Sequence, residues 1–230
     1  MNEDKVGELF ERARADYDVV AKTRDANGNL VYGRPAAFDD VAFVDEQPPM
    51  SAKAIALPQT ETLVRYERED EKIRAEGPEP EAHDVLLFGV NMCDAAAFDI
   101  IDHVFKWDYL DDPYLGRRAN ATLFALACAA ARQDCFCDRI SYAEDGVDAV
   151  AYALEDYYLV KVQTEKGRKL VERYQDLFGA EDGDAEAAIK AFREKAGTAK
   201  KEPMLESARA GLEKAFEHAD WEILASTCIG

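Results

Sequence analysis

The fold follows from one stretch near the middle of the chain, Val85-Leu86-Leu87-Phe88-Gly89-Val90-Asn91-Met92-Cys93-Asp94. The first six of these residues form a continuous apolar run, which is typical of a strand buried on both faces. A segment with helical periodicity follows from Ala95 to about Trp107, and Asp94 is the expected N-cap. The stretch therefore predicts a strand that leads directly into a helix, with Cys93 at the junction.

A second apolar run lies further along, at Thr122–Ala127, and it ends at Cys128. Two buried strands separated by a helix favour parallel pairing through a right-handed crossover. The next two strands, Ala149–Leu154 and Tyr157–Val162, are joined by a two-residue turn and are expected to pair as an antiparallel hairpin. Together these segments predict a mixed sheet.

The residues before this stretch are less regular. An amphipathic helix opens the chain, and a strand at Tyr17–Ala21 is expected to pair with Leu30–Tyr32 after an Asn27-Gly28 turn. Prolines interrupt residues 41–64, where we expect extended chain and short strands. Residues 67–84 are mostly charged and predict a surface loop or a short exposed helix.

Helical periodicity dominates the rest of the chain. We expect helices at Glu165–Phe178, at Ala185–Ala196 and from about Pro203 onward. The predicted fold class is mixed α/β, with a mixed central sheet, flanking helices and an α-helical C-terminal extension. The predicted division is a mixed α/β domain at residues 1–164, which carries the cysteine cluster, and a helical extension at 165–230.

Composition limits the choice of partners. The chain has 230 residues, with 28 Lys and Arg against 47 Asp and Glu, which gives a net charge of -19. Such a chain repels nucleic acid and anionic membrane surfaces. The acidic surface either keeps the protein soluble or docks a basic partner or redox subunit, and composition does not separate the two.

No apolar run approaches the roughly 20 residues that a membrane-spanning helix needs, and the first ten residues do not resemble a secretory signal. We therefore expect a cytoplasmic protein, in which thiols are normally reduced. In that setting, clustered cysteines indicate metal or redox chemistry more than structural disulfides.

Four of the five cysteines are candidates for one site: Cys93, Cys128, Cys135 and Cys137. The first two each follow a predicted buried strand, and in open α/β sheets ligands gather at the carboxyl ends of strands. Four thiolates are the ligand set of an iron–sulfur cluster or of a structural zinc. The Cys-x-Cys spacing does not match zinc ribbons or bacterial ferredoxins, and the alternative is a buried apolar Cys128 with the others incidental.

The same residues resemble a known family. The segment Phe88-Gly89-Val90-Asn91-Met92-Cys93-Asp94 is similar to the FGV-x-x-CD segment of sulfhydrogenase beta subunits, which are related to the corresponding subunits of anaerobic sulfite reductases. The similarity continues through further segments in the same order: Phe98–Tyr109, Asp112-Pro113-Tyr114 with Arg117-Arg118, Ala127-Cys128, Cys135-Phe136-Cys137, Tyr158-Leu159-Val160 and Thr164-Glu165-Lys166-Gly167.

This resemblance implies an iron–sulfur electron-transfer subunit. Such subunits relay electrons between two others, one flavin-containing and NAD(P)H-reactive, the other a hydrogenase or sulfite reductase. For this chain the resemblance implies a [4Fe-4S] cluster on Cys93, Cys128, Cys135 and Cys137. It also implies a ferredoxin-like region with two more clusters after residue 230, in which Cys228 would be the first cysteine and here a thiol without a cluster.

Other polar residues suggest no catalytic centre. His103 is expected to be a surface or half-buried histidine, and Arg117-Arg118 a solvated pair at a helix end, although the pair could instead dock a partner or an anionic cofactor. Trp107, Tyr109 and Tyr114 are expected in the core. No nucleotide-binding or zinc-protease motif occurs. A metal-free docking scaffold for the ferredoxin region remains the alternative function, and an independent enzyme ranks last.

Overall fold

The computed structural model describes residues 1–70, 72–77, 83–132, 135, 146–179, 183–196, 211–213, 215, 218 and 220–226. The helices in this part of the chain are α1 (Glu3–Ala13), α2 (Met92–Trp107), α3 (Asp112–Asn120), α4 (Glu165–Arg173) and α5 (Ala185–Ala196). These residues also include a short helix at Asp220–Ser226 and single-turn 3-10 helices at Phe38–Asp40, Ala52–Ile55 and Gln175–Leu177.

The strands of the described residues form two sheets. They are β1 (Asp18–Arg24), β2 (Leu30–Gly33), β3 (Arg65–Glu69), β4 (Lys72–Glu76), β5 (Val85–Asn91), β6 (Ala121–Leu126), β7 (Ala149–Ala153) and β8 (Tyr158–Val162). The main sheet has the order β2-β1-β5-β6-β7-β8. Its four central strands are parallel, while the edge strands β2 and β8 are antiparallel to their neighbours. The prediction of a mixed sheet with flanking helices is therefore confirmed.

Successive residues of the central strands alternate between two hydrophobic cores, as expected for a sheet covered on both faces. Leu87, for example, packs in the core that includes α2 and α5, whereas Leu86 and Phe88 pack in the core that includes α1 and α4. The helices of residues 165–196 thus contribute to both cores: Leu170 to one and Ile189 to the other. The division at residue 164 stays a prediction.

A β-bulge interrupts β5 just before its carboxyl end. The register with β6 shifts between Phe88 and Val90, and Gly89 between them has φ +73. Glycine adopts this left-handed backbone without the steric cost that other residues pay. Because of the bulge, Val90 packs in the same core as Leu87. The bulge therefore sets the direction in which β5 leads into α2.

Three local predictions were wrong. Residues 41–64 form no named strand, only an isolated bridge at Val41 and the 3-10 helix Ala52–Ile55. The charged segment expected to be a loop or helix contains the exposed hairpin β3–β4. Finally, Trp107 and Tyr109 are exposed, and only Tyr114 of the three aromatic residues is buried. The helix expected from Pro203 lies largely outside the described residues.

No helix within the described residues is both long and apolar enough to span a bilayer.

Candidate functional site

Cys93 and Cys128 lie at the same edge of the main sheet. Their strands, β5 and β6, are adjacent and parallel, and their last paired residues are Asn91 and Leu126. Each cysteine lies two residues beyond its strand's last pair, at the carboxyl edge where α/β proteins usually bind ligands. Cys93 is also in the first turn of α2, where unpaired N–H groups and the helix dipole favour negative charge.

Cys135 belongs to a segment that is anchored to this edge by Asp45. The carboxylate of Asp45 accepts a hydrogen bond from the Ala129 N–H at 2.8 Å and pairs with the Arg132 guanidinium at 3.3 Å. The Arg132 backbone N–H in turn donates to the Cys135 Sγ at 3.2 Å, and the Cys135 N–H donates to the Arg132 carbonyl at 3.1 Å. Asp45 therefore links the residues after Cys128 to Cys135.

The four-cysteine site itself stays a prediction. Cys137 and Cys228 lie outside the described residues. Across the part of the chain that is described, no three His, Cys, Asp or Glu side chains form a group that could hold a metal ion. The structure thus brings Cys93 and Cys128 to one edge and anchors the segment of Cys135 beside Asp45.

Sequence reasoning missed the most deeply buried charge at this edge, which is Lys22. Its residue is only 1% exposed. The Lys22 Nζ donates to the carbonyl of Val44, to that of Glu46 at 3.3 Å and to the Asn91 Oδ1 at 3.1 Å. Burial lowers the pKa of Lys22 to about 8, although the nearby Cys128, Asp45 and Asp94 oppose that shift.

Asn91 connects this lysine to a cysteine. Its Nδ2 donates to the Asp45 carbonyl at 2.6 Å and approaches the Cys128 Sγ at 3.7 Å. Asn91 also occupies the N-cap position of α2, although its side chain makes no capping hydrogen bond. One amide therefore contacts the lysine, the backbone of residue 45 and the thiol.

Asp94 is not the N-cap that the sequence predicted. It lies inside the first turn of α2 and is buried, with its carboxylate accepting from the Tyr32 hydroxyl at 3.2 Å and from the Gln47 Nε2 at 3.1 Å. Burial raises the pKa of Asp94, and these two hydrogen bonds partly oppose the shift. Burial likewise raises the pKa of Tyr32. Asp94 thus joins β2 and the segment around Gln47 to the start of α2.

The remaining candidates serve the framework rather than this edge. His103 is exposed, as expected, and its Nδ1 lies 2.7 Å from the Asp99 carbonyl. Arg117 and Arg118 are not a solvated pair, since their side chains are 10% and 15% exposed. Arg117 pairs with Glu61 at 2.7 Å, and Arg118 with Asp102 at 3.3 Å.

Comparison with known proteins gives one informative similarity. Over 148 residues the chain is 32% identical to the sulfhydrogenase 2 subunit beta of Pyrococcus furiosus. The matched part covers 63% of this chain and 44% of that relative, so it spans less than half of the relative's length. No family model matches the chain, and no solved structure matches it. The similarity supports the resemblance to sulfhydrogenase beta subunits.

Proposed function

We propose that this chain is part of an iron–sulfur electron-transfer subunit of an oxidoreductase. The observation that carries the proposal is the placement of Cys93 and Cys128 at one carboxyl edge of adjacent parallel strands. The similarity to a sulfhydrogenase beta subunit supports the same assignment. In this role the protein relays electrons between two other subunits, one flavin-containing and NAD(P)H-reactive, the other a catalytic subunit of the hydrogenase or sulfite reductase type.

The thiols of Cys93, Cys128, Cys135 and Cys137 would hold a [4Fe-4S] cluster. Such a cluster supplies a one-electron carrier whose potential depends on its protein surroundings. The donor chemistry fits, because thiolates are the preferred ligands of iron–sulfur clusters. The charge of the edge fits as well: Lys22, Arg132 and the N-terminus of α2 all favour an anionic group there.

The partners we propose are other protein subunits. The matched relative is named as the beta subunit of a sulfhydrogenase, and an electron relay needs a donor and an acceptor. A chain with a net charge of -19 would be steered electrostatically toward basic partner surfaces, which affects association rate more than affinity.

Replacing Cys135 and Cys137 by serine tests the cluster. The chain is produced and purified without oxygen, and its iron, acid-labile sulfide and absorption spectrum are measured. We expect the double variant to lose the iron and sulfide of one cluster while its far-UV circular dichroism is unchanged. The matched control is Cys228→Ser, which should keep the full iron content because Cys228 is not among the proposed ligands. Equal iron in the double variant and the parent chain would refute the ligand assignment.

A second candidate function is a metal-free scaffold that docks a ferredoxin-like region against partner subunits. One observation favours it, namely that protein N–H groups already face two of the thiols: the Asn91 amide faces Cys128, and the Arg132 backbone N–H faces Cys135. These thiols are therefore accommodated by the fold itself. The same preparation distinguishes the two functions. A colourless anaerobic protein that takes up no iron and sulfide on reconstitution would support the scaffold and exclude the cluster.

A further inference from the structure

Lys22 is held at the carboxyl edge by a full set of hydrogen bonds. A lysine ammonium has three donors and no acceptor. All three are directed at oxygen atoms, those of Val44, Glu46 and the Asn91 side chain. The positive charge is therefore fixed in position, and because the residue is almost fully buried, water screens it little.

This lysine also fixes the orientation of the Asn91 amide. Because an ammonium can only donate, the atom that faces it at 3.1 Å must be the oxygen of Asn91. The amide nitrogen then faces the opposite way, toward the Asp45 carbonyl and the Cys128 Sγ. An N–H donor is thus aimed at the sulfur, and the lysine behind it enforces that orientation.

The acidic residues nearby are bound by other partners. The Asp45 carboxylate is bound by the Ala129 N–H and Arg132, and the Asp94 carboxylate by Tyr32 and Gln47. The Lys22 ammonium directs its donors at two carbonyls and an amide oxygen instead. Its charge is consequently not cancelled by a direct ion pair with either acid, and its field acts on Cys128 as well.

We propose that Lys22 and Asn91 are positioning residues that raise the reduction potential of a cluster bound through Cys128. This inference rests on the proposed function. The physical basis is that the potential of an iron–sulfur cluster depends on nearby charge and on hydrogen bonds to its sulfur ligands. Lys22 supplies a buried positive charge, and Asn91 supplies the N–H donor. Both stabilise the added electron.

Two substitutions remove these contributions in different ways. Lys22→Met keeps the length of the side chain and removes its charge. Asn91→Asp keeps an oxygen for Lys22, removes the N–H donor to Cys128 and adds a negative charge. Because Lys22→Met leaves buried carbonyls without a donor and could prevent folding, Asn91→Asp alone is sufficient to decide.

The matched control is Lys166→Met. Lys166 is also partly buried and donates to two carbonyls, those of Arg118 and of Ala121 at 2.7 Å. Ala121 begins β6, so Lys166 lies at the opposite end of this strand from Cys128. Its loss should reduce stability much as the loss of Lys22 does, without changing a potential at the carboxyl edge.

The measurement is an anaerobic redox titration of the 230-residue chain, followed by electron paramagnetic resonance, with iron determined in parallel. We expect each site variant to keep its iron and to be reduced about tenfold less readily, which is about 59 mV for one electron. Lys166→Met should titrate like the parent chain. An unchanged potential in iron-loaded Asn91→Asp would overturn this inference and leave the proposed function intact. A parent chain that binds no iron would overturn both.

Discussion

At the scale of single residues, the first turn of α4 approaches the backbone of Asp148 so closely that position 167 has no room for a side chain. A Cβ placed on Gly167 would lie 1.9 Å from the Asp148 carbonyl oxygen. Asp148 is buried and also accepts the Leu123 N–H at 2.7 Å, so it cannot move freely. We expect Gly167→Ala to lower the free energy of unfolding by about 3 kcal/mol, measured by urea denaturation.

Gly116 provides the control for this substitution. It also lies in a helix, α3, but a Cβ there would meet nothing within 4 Å. Gly116→Ala should therefore raise the free energy of unfolding by up to about 1 kcal/mol through helix propensity alone. If Gly167→Ala were as stable as Gly116→Ala, the close approach of α4 to Asp148 would be incorrect.

Single residues also show how far the sequence could predict the site. The positions of Cys93 and Cys128 followed from two apolar runs, because parallel strands bring their carboxyl ends to one edge. Lys22 could not be recognised in the same way. It follows Val19-Val20-Ala21 in β1, and a lysine after an apolar run usually marks the solvent-exposed end of a strand. Only the tertiary structure brings the carbonyls of Val44 and Glu46 to its ammonium.

At the scale of elements, α2 is packed at its start and exposed at its end. Phe98 is fully buried between the sheet and Arg118, whereas Trp107, nine residues later, is 86% exposed. We expect Phe98→Ala to lower the free energy of unfolding by about 3–5 kcal/mol, because it leaves a cavity in the core.

Trp107→Ala is the matched substitution on the same helix. It removes a larger side chain but little buried surface, so the free energy of unfolding should change by no more than about 0.5 kcal/mol. Urea denaturation of both variants checks this pair. A large loss of stability in Trp107→Ala would mean that the end of α2 is covered by another part of the molecule.

The elements that the sequence failed to predict share a physical cause. Helix α3 has little apolar periodicity, and only Tyr114 of its residues is buried. The β3–β4 hairpin has no buried residue, so neither of its strands alternates between apolar and polar residues. Its register instead pairs opposite charges, Arg65 with Glu76, Glu67 with Arg74 and Glu69 with Lys72. Such cross-strand pairs stabilise a hairpin, but they become visible only once the two strands are aligned.

At the scale of the whole molecule, the covered sheet and the acidic surface have separate consequences. Helices cover both faces of the main sheet, so the carboxyl edge is where polar groups from β1, β5 and the residues after β6 can meet. The cores make this edge rigid, and the loops that follow the strands supply its chemistry. The surface charge is a different matter, because it acts on the molecule as a whole.

A net charge of -19 on 230 residues must oppose compaction by self-repulsion. Added salt shortens the distance over which charges interact, from about 30 Å at 0.01 M to about 8 Å at 0.15 M ionic strength. We therefore expect the urea midpoint to rise between these two concentrations of sodium chloride. Surface ion pairs such as Arg168 with Glu165 would give the opposite trend, but exposed pairs contribute little.

Reversing two exposed acids tests whether self-repulsion is the cause. Asp108 and Glu194 lie at or near the C-terminal ends of α2 and α5, where a positive charge also complements the helix dipole. Each change to lysine alters the net charge by two, so Asp108→Lys with Glu194→Lys brings it from -19 to -15. The double variant should have a higher midpoint at low salt and a smaller gain on adding salt. If the parent chain instead lost stability as salt was added, attractive ion pairs would outweigh the repulsion, and the acidic surface would have to be regarded as locally balanced.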